Sequence, residues 1–570
     1  MKRRTVLALL IVCLAVVPVL PVMRAADRPE GRLLATRSVT YARHGMVSAA
    51  HPLAAQVGVE ILRRGGNAVD AAIAVNAALA FLEPVACGPG GDLFAMVWDA
   101  QKGELVGLNA SGRAPGALSA AKIPAEEDGT IPLYSPYAWT VPGAVDGWFE
   151  LHDRYGVLPM AEVLAPAIRL AREGAPVPQV IAGAWARSAR VFGSKPGFAE
   201  VFLPGGRAPR EGEVFANPAL ARTFEILADG GRDAFYKGPI ARAIVAFSQV
   251  QGGFFSLEDF AGHHSEWVEP ISTSYRGVEL WELPPNGQGL AALEMLNILE
   301  LFDIASLGRD SADFWHLMVE AKKLAFADRA RFYADPAMVE VPVEGLLTKD
   351  YARRRRARIR MDRAAKSVDP GHPGLERGDT TYLAVGDSEG NLVSLIQSNY
   401  TGFGSGYVVP ELGFGIQNRG ALFNLEKGHP NFLVPGKRPF HTIIPAFLTR
   451  QGVPWCAFGV MGGATQPQAH AQIVVNLVDF GMNLQEAGDA PRFVHTGSSQ
   501  PTGTLMSTGG LLHLETGVDP EIVRELVRRG HRIQPAVGLY GGYQAVCIDP
   551  RTGVLSGATE SRKDGLSLGY

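Results

Sequence analysis

Residues 367–398 read SVDPGHPGLERGDTTYLAVGDSEGNLVSLIQS, and the rest of the chain is best read outward from this stretch. Residues 367–379 hold two prolines and three glycines, the composition of a flexible linker, and mark the sharpest boundary in the sequence. Residues 382–385 and 392–396 are β-formers around the turn cluster Asp387, Ser388, Glu389, Gly390 and Asn391, which predicts a hairpin. With the turn centred on Glu389, Thr380 falls opposite Ser398, so two hydroxyls face each other across the ladder. By register alone such a pair is ordinary. Its position changes the reading, because a long linker ends directly at a Thr that begins a strand. A break between Asp379 and Thr380 would give Thr380 a free α-amine, with a pKa near ~8, beside its own hydroxyl. Nucleophile and base would then sit in one residue.

Downstream, residues 455–461 are apolar and strand-like, Gly462 and Gly463 follow, and residues 466–480 read as a helix. A Gly-Gly between strand and helix offers unobstructed backbone N–H groups near a helix N-terminus, which can hold a developing oxyanion. Other chemistries lack their patterns. No His-Glu-x-x-His metal helix and no G-x-S-x-G elbow occur, and Gly88-Pro89-Gly90-Gly91 fails the dinucleotide fingerprint because Leu93 stands where the third Gly belongs. It reads instead as a tight helix-to-strand connection. His263 and His264 read as surface residues, and Arg353, Arg354, Arg355, Arg356, Arg358 and Arg360 as a solvated helix face without the interleaved aromatics of a nucleic-acid site.

Upstream, residues 53–64 and 68–82 are predicted helices, the second capped by Asn67 and rich in Ala, followed by a strand over 93–98. Residues 150–350 read as mostly helical, with 314–333 the clearest helix; from Thr381 onward strands and short turns dominate. The chain has 570 residues, 47% hydrophobic and 19% charged, with net charge −3, which excludes wholesale disorder and a global cationic field for nucleic acid or acidic membrane. Residues 1–25 carry Lys2, Arg3 and Arg4 before an apolar run from Val6 to Val22, and Ala25 and Ala26 then offer a cleavage site, the form of a cleaved secretory signal. Pro18 and Pro21 interrupt the run, so no stable membrane anchor is expected. Beyond it remain Cys87, Cys456 and Cys547, a sparse, odd set read as buried small hydrophobes rather than a disulfide framework.

Several segments together resemble the γ-glutamyltransferase (γ-glutamyltranspeptidase) family of N-terminal-nucleophile hydrolases. They are LRRGGNAVDAA at 62–72, PGAVDGW at 142–148, ELPPNGQG at 282–289, EAKKLAFADRARFYADP at 320–336, GDTTY at 378–382, GNLVS at 390–394, RPFHTIIP at 438–445, MGG at 461–463 and APRF at 490–493. The resemblance implies an α+β fold, an αββα four-layer sandwich, and self-cleavage of a precursor into a large subunit, 26–379, and a small subunit, 380–570. Thr380 matches the family nucleophile, Ser398 its second hydroxyl, and Gly462 and Gly463 its oxyanion glycines. The implied reaction is attack on a γ-glutamyl amide such as glutathione, with the acyl group passing to water or an amine acceptor. It requires no metal and no organic cofactor.

The substrate pocket departs from the family pattern. Arg113 lies two residues after the position of the family's carboxylate-binding Arg. Tyr400 replaces an Asn, Arg419 a Gln or Glu, and His441-Thr442 a Ser-Ser pair. Leu422 stands where an acidic residue pairs with the substrate α-ammonium. Leu cannot pair with an ammonium, while Arg113 and Arg419 favour carboxylates. The pocket therefore resembles that of cephalosporin acylases, which accept glutaryl or other acyl groups without the α-amine. Two readings of the donor follow, γ-glutamyl or ω-carboxy-acyl, beside a third in which the chain is an unprocessed binding protein. Residues 142–148 and 320–336 are expected to be scaffolding.

Overall fold

The computed structural model describes residues 37–369, 379–536 and 538–570, and for Asp379 the backbone alone. The N-terminal apolar segment and residues 370–378 of the linker lie outside the described residues. Two seven-stranded antiparallel sheets form the centre. In spatial order, the first runs Leu566–Gly569, Gly45–Ala49, Asp379–Asp387, Leu392–Tyr400, Asp92–Asp99, Glu104–Ala110 and Glu266–Val268. The second runs Thr40–Ala42, Leu555–Thr559, Gly542–Ile548, Val453–Met461, Ala446–Arg450, Val278–Glu282 and Ile271–Tyr275.

The period-2 alternation of strand side chains sorts these residues into three apolar layers. Tyr382, Ala384, Leu392, Ile396, Phe94 and Met96 meet Phe447, Ala457, Met461, Val546 and Leu555 between the sheets. Their sequence neighbours Leu383, Val385, Val393 and Leu395 point the other way, into a layer shared with the helices Pro52–Arg63, Ala68–Leu82, Ala144–Tyr155, Met160–Glu173 and Pro218–Tyr236. On the far side, Leu448, Phe458 and Val460 pack on the helices Gly289–Leu299, Ala312–Phe332 and Gln466–Val478. Helix, sheet, sheet, helix: the chain is an αββα sandwich. Gly459 permits the sheets to close, because a Cβ there would lie 2.5 Å from the Tyr382 ring.

Local chemistry sets the elements. Asn67 accepts the N–H groups of Val69 and Asp70, and the Asp70 carboxylate accepts that of Asn67, so the helix opens in a capping box. All fifteen of its residues are buried, hence its Ala content. Its first N–H, on Ala68, reaches Asp387 Oδ2 at 2.9 Å, while Asp387 Oδ1 accepts the N–H groups of Glu389 and Asn391 at 3.0 Å. One turn carboxylate thereby fixes the hairpin and docks it on the helix.

Residues 150–350 are mostly helical, as expected, and within them 271–282 form a hairpin completing the second sheet, where the β-branched and aromatic residues alternate around Arg276-Gly277. Three sequence expectations are corrected. Cys456 and Cys547, directly opposite on neighbouring strands, form a disulfide, leaving Cys87 free and buried. His263 is buried, stacked 5.1 Å from the Tyr236 ring, and only His264 is at the surface. Arg355 is also buried, its Nε 2.9 Å from Asp328 Oδ2, although its neighbours Arg353, Arg354 and Arg356 are solvated.

Candidate active site

The hairpin pairs in the expected register from Thr381↔Gln397 to Gly386↔Leu392. The register shifts between Asp379 and Thr381, placing Thr380 in the irregularity at the strand's start. There its Oγ1 donates to Ser398 Oγ at 3.3 Å, with both residues buried. Ser398 Oγ also accepts the N–H of Tyr400 at 2.8 Å. That bond holds Tyr400 at φ +79°, a left-handed conformation costly for a residue with a Cβ. On the other face of the strand, Thr381 donates to Glu83 Oε2 at 2.7 Å, anchoring the residue after Thr380 to the C-terminal end of helix Ala68–Leu82.

The Tyr400 ring lies 4.6 Å below the guanidinium of Arg419, which is fully buried at the start of a short turn, Arg419–Leu422. Arg419 Nη1 donates to Thr442 Oγ1 at 2.6 Å. Burial pushes its pKa down to about 10, still leaving it charged at neutral pH. Leu422 joins the apolar cluster with Phe423, Leu433 and Phe440.

Gln288 ties this region to the glycine turn. Its Nε2 donates to Thr442 O at 2.6 Å and to Gly463 O at 2.8 Å, and its Oε1 accepts from Arg329 Nη1. Thus ELPPNGQG supplies the tie and EAKKLAFADRARFYADP braces it. Gly462 and Gly463 adopt φ +125° and +56°, between strand Val453–Met461 and helix Gln466–Val478, where a Cβ would be strained. An unbroken series of contacts runs from Thr380 through Ser398, Tyr400, Arg419, Thr442 and Gln288 to Gly463.

Asp92, which the sequence reading missed, is a second hub. It opens strand Asp92–Asp99 directly opposite Ser398. Its Oδ1 accepts the N–H groups of Gly112 (2.9 Å) and Gly143 (3.3 Å) and Gln417 Nε2 (2.8 Å); its Oδ2 lies 3.0 Å from His441 Nε2. Burial opposes its charge, but these bonds and nearby Arg419 prevail and hold the carboxyl below its ordinary pKa. Burial, helped by Arg419, lowers His441 to about 4, so its ring is neutral. Because His441 Nδ1 accepts the N–H of Ile443 at 3.3 Å, Nε2 carries the proton and donates it to Asp92. His441 is therefore occupied on both nitrogens.

Arg113 is the one pocket residue the structure turns elsewhere. Its Nη2 pairs with Glu266 Oε1 at 2.6 Å, an oxygen shared with Arg438 Nη1. Gln288 was visible only inside a motif, and Asp92 only as a polar residue at a strand's start; its partner His441 is far away in sequence.

The four-layer sandwich, with a hydroxyl pair near the start of a central strand and a Gly-Gly turn tied through Gln288 to the same cluster, places the chain among N-terminal-nucleophile hydrolases. More narrowly, it belongs to the γ-glutamyltranspeptidase family, whose profile matches residues 54–570. The chain is 37% identical to the glutathione hydrolase-like YwrD proenzyme of Bacillus subtilis over 92% of its own length and 98% of the relative's. It is likewise 37% identical to the acylase ACY 1 proenzyme of a Pseudomonas species, over 96% of both chains. Among solved structures, the cephalosporin acylase of Bacillus halodurans superposes with a TM-score of 0.86 at 44% identity, covering 96% of this chain and 99% of that one. The protein is an enzyme of this family. Among the described residues no helix is long and apolar enough to cross a membrane.

Proposed function

We propose that the chain is an exported precursor that cuts itself between Asp379 and Thr380, and that its products, 26–379 and 380–570, form an amidase acting on γ-glutamyl amides such as glutathione. The observation that carries this is the Thr380–Ser398 hydroxyl pair at the start of the central strand. In this mechanism the freed α-amine takes the Thr380 Oγ1 proton. Oγ1 then attacks the donor's amide carbon, and the N–H groups of Gly462 and Gly463 hold the resulting oxyanion. As the C–N bond breaks, the proton passes to the leaving amine. Water or an acceptor amine next attacks the Thr380 ester and releases the acyl group. Ser398 orients the nucleophile. The family and the proenzyme relatives support the scheme. Mass spectrometry of the purified protein tests it: the smaller piece should begin at Thr380, and a fully active, uncut chain would sink the scheme.

A second reading, an acylase that removes glutaryl or other ω-carboxy-acyl groups, is favoured by one observation. The position expected to hold the α-ammonium is Leu422, packed among apolar side chains. The acylase relatives are compatible with it. Initial rates on γ-glutamyl-p-nitroanilide and glutaryl-p-nitroanilide, measured side by side, separate the two; equal or faster turnover of the γ-glutamyl compound removes the second.

A further inference from the structure

We propose that Arg419 is the receptor for a carboxylate on the acyl donor, and that the site needs no ammonium on that donor; this rests on the Thr380 mechanism above. Arg419 is 0% exposed, yet among the described residues its Nε and Nη2 have no hydrogen-bond partner. Only Nη1 is used, on Thr442 Oγ1. A buried cation with two idle donors is costly unless a ligand completes it. The idle pair is informative in itself. Nε–H and Nη2–H are the two parallel bonds on the long edge of a guanidinium, the edge that fits both oxygens of one carboxylate.

The surroundings leave this edge to a ligand. Asp92 offsets the charge of Arg419 through space, but both its oxygens are taken by Gly112, Gly143, Gln417 and His441. His441, committed to Asp92 and to the Ile443 N–H, offers the donor neither charge nor a free ring nitrogen. The Tyr400 ring covers one face of the guanidinium, and the same residue's N–H holds Ser398 Oγ, which receives the Thr380 hydroxyl. The receptor is therefore one residue removed from the hydroxyl pair. Leu422 offers an α-ammonium no charge, and both Asp92 oxygens already accept hydrogen bonds. The donor class this edge selects is an amide whose acyl group carries a free carboxylate, with or without an amine beside it.

The test compares glutaryl-p-nitroanilide with its neutral isostere, 5-amino-5-oxopentanoyl-p-nitroanilide, on the processed wild type, Arg419→Gln and Arg419→Lys. The wild type should favour the carboxylated donor by at least 100-fold in kcat/KM. In Arg419→Gln that ratio should collapse toward one, and Arg419→Lys, with charge but no fork, should fall between. An unchanged ratio in Arg419→Gln overturns the proposal. A measurement on the wild type alone guards against a misfolded variant. Glutarate should inhibit at least tenfold more tightly than 5-amino-5-oxopentanoate, and equal inhibition constants overturn the proposal. Failure of the Thr380 mechanism would be read separately, as a Thr380→Ala protein that still turns over either donor.

Discussion

Replacing Ser398 with Ala removes one oxygen that serves two partners. The Tyr400 N–H, 2.8 Å away and buried, loses its acceptor, at a cost of about 1–3 kcal/mol. That bond also holds Tyr400 at φ +79°, a conformation costing about 1–2 kcal/mol for an L-residue, so the turn toward Arg419 loosens. The Thr380 hydroxyl loses the contact that aims it, worth about 0.5–1.5 kcal/mol, or roughly a factor of 2 to 13 in rate. Misplacement of the nucleophile adds to this, since an error of about 1 Å can cost on the order of 100-fold. Ser398→Ala should therefore lower kcat by about 10- to 100-fold and lower the melting temperature, while Ser398→Thr, which keeps the oxygen, should recover most of both. The assay is steady-state turnover of a chromogenic anilide alongside a denaturing-gel time course of precursor splitting. If Ser398→Ala splits and turns over at the parental rates, the hydroxyl pair has no part in the chemistry and the reasoning fails.

Thr380→Ala should abolish both splitting and turnover, because one hydroxyl serves both; intact-mass spectrometry showing normal maturation would contradict this. Gln288→Leu strands the carbonyls of Thr442 and Gly463 and one donor of Arg329, at about 1–3 kcal/mol each, so thermal stability and kcat should fall together. Parental kcat in a folded Gln288→Leu protein would show that the tie is idle. Gly462→Val forces a β-branched residue to φ +125° and should reduce kcat by about 100- to 1,000-fold, the loss typical of one oxyanion donor, as progress curves would show. His441, pushed down to about 4 by burial, stays neutral while the unfolded chain protonates near ~6.5. Unfolding thus takes up a proton between these values, and stability falls as pH drops through that window, by about 2 kcal/mol from this site between pH 6.5 and 5. Urea midpoints at those two pH values should differ less in His441→Gln, whose amide can still donate to Asp92.

What could be read from the sequence was local. The hairpin register was legible because the turn residues and the period-2 pattern lie within twenty residues, so Thr380 and Ser398 could be paired by counting. The αββα layering needed the family resemblance, since nothing local says that Tyr382 faces Gly459 while Leu383 faces a helix. The hairpin at 271–282 is legible in principle, from the Arg276-Gly277 turn between alternating strands, inside a segment that is otherwise mostly helical. The disulfide was obscured because an odd count says nothing about which cysteines lie opposite each other. Asp92–His441 was beyond reach for a physical reason: a buried carboxylate is stabilised by whatever donors the fold brings, and these come from four distant segments.

The same wiring explains how a chain could cut itself beside its nucleophile and keep its shape. Both sheets contain strands from either side of residue 380, and the strand headed by Thr380 is interior, bonded to Gly45–Ala49 on one edge and Leu392–Tyr400 on the other. The register is continuous from Thr381 onward, with Asp379↔Tyr400 on the other side of the irregularity, so a break before Thr380 leaves the ladder beyond it intact. Thr381, held by Glu83, stops fraying one residue in. The new terminus would be free at its amine and fixed at its next residue, which is what a residue needs in order to be base and nucleophile at once. Loosening that anchor with Thr381→Val, which keeps the shape but not the hydroxyl, should slow turnover more than it lowers stability. A Thr381→Val enzyme with parental kcat would mean that the ladder alone positions Thr380.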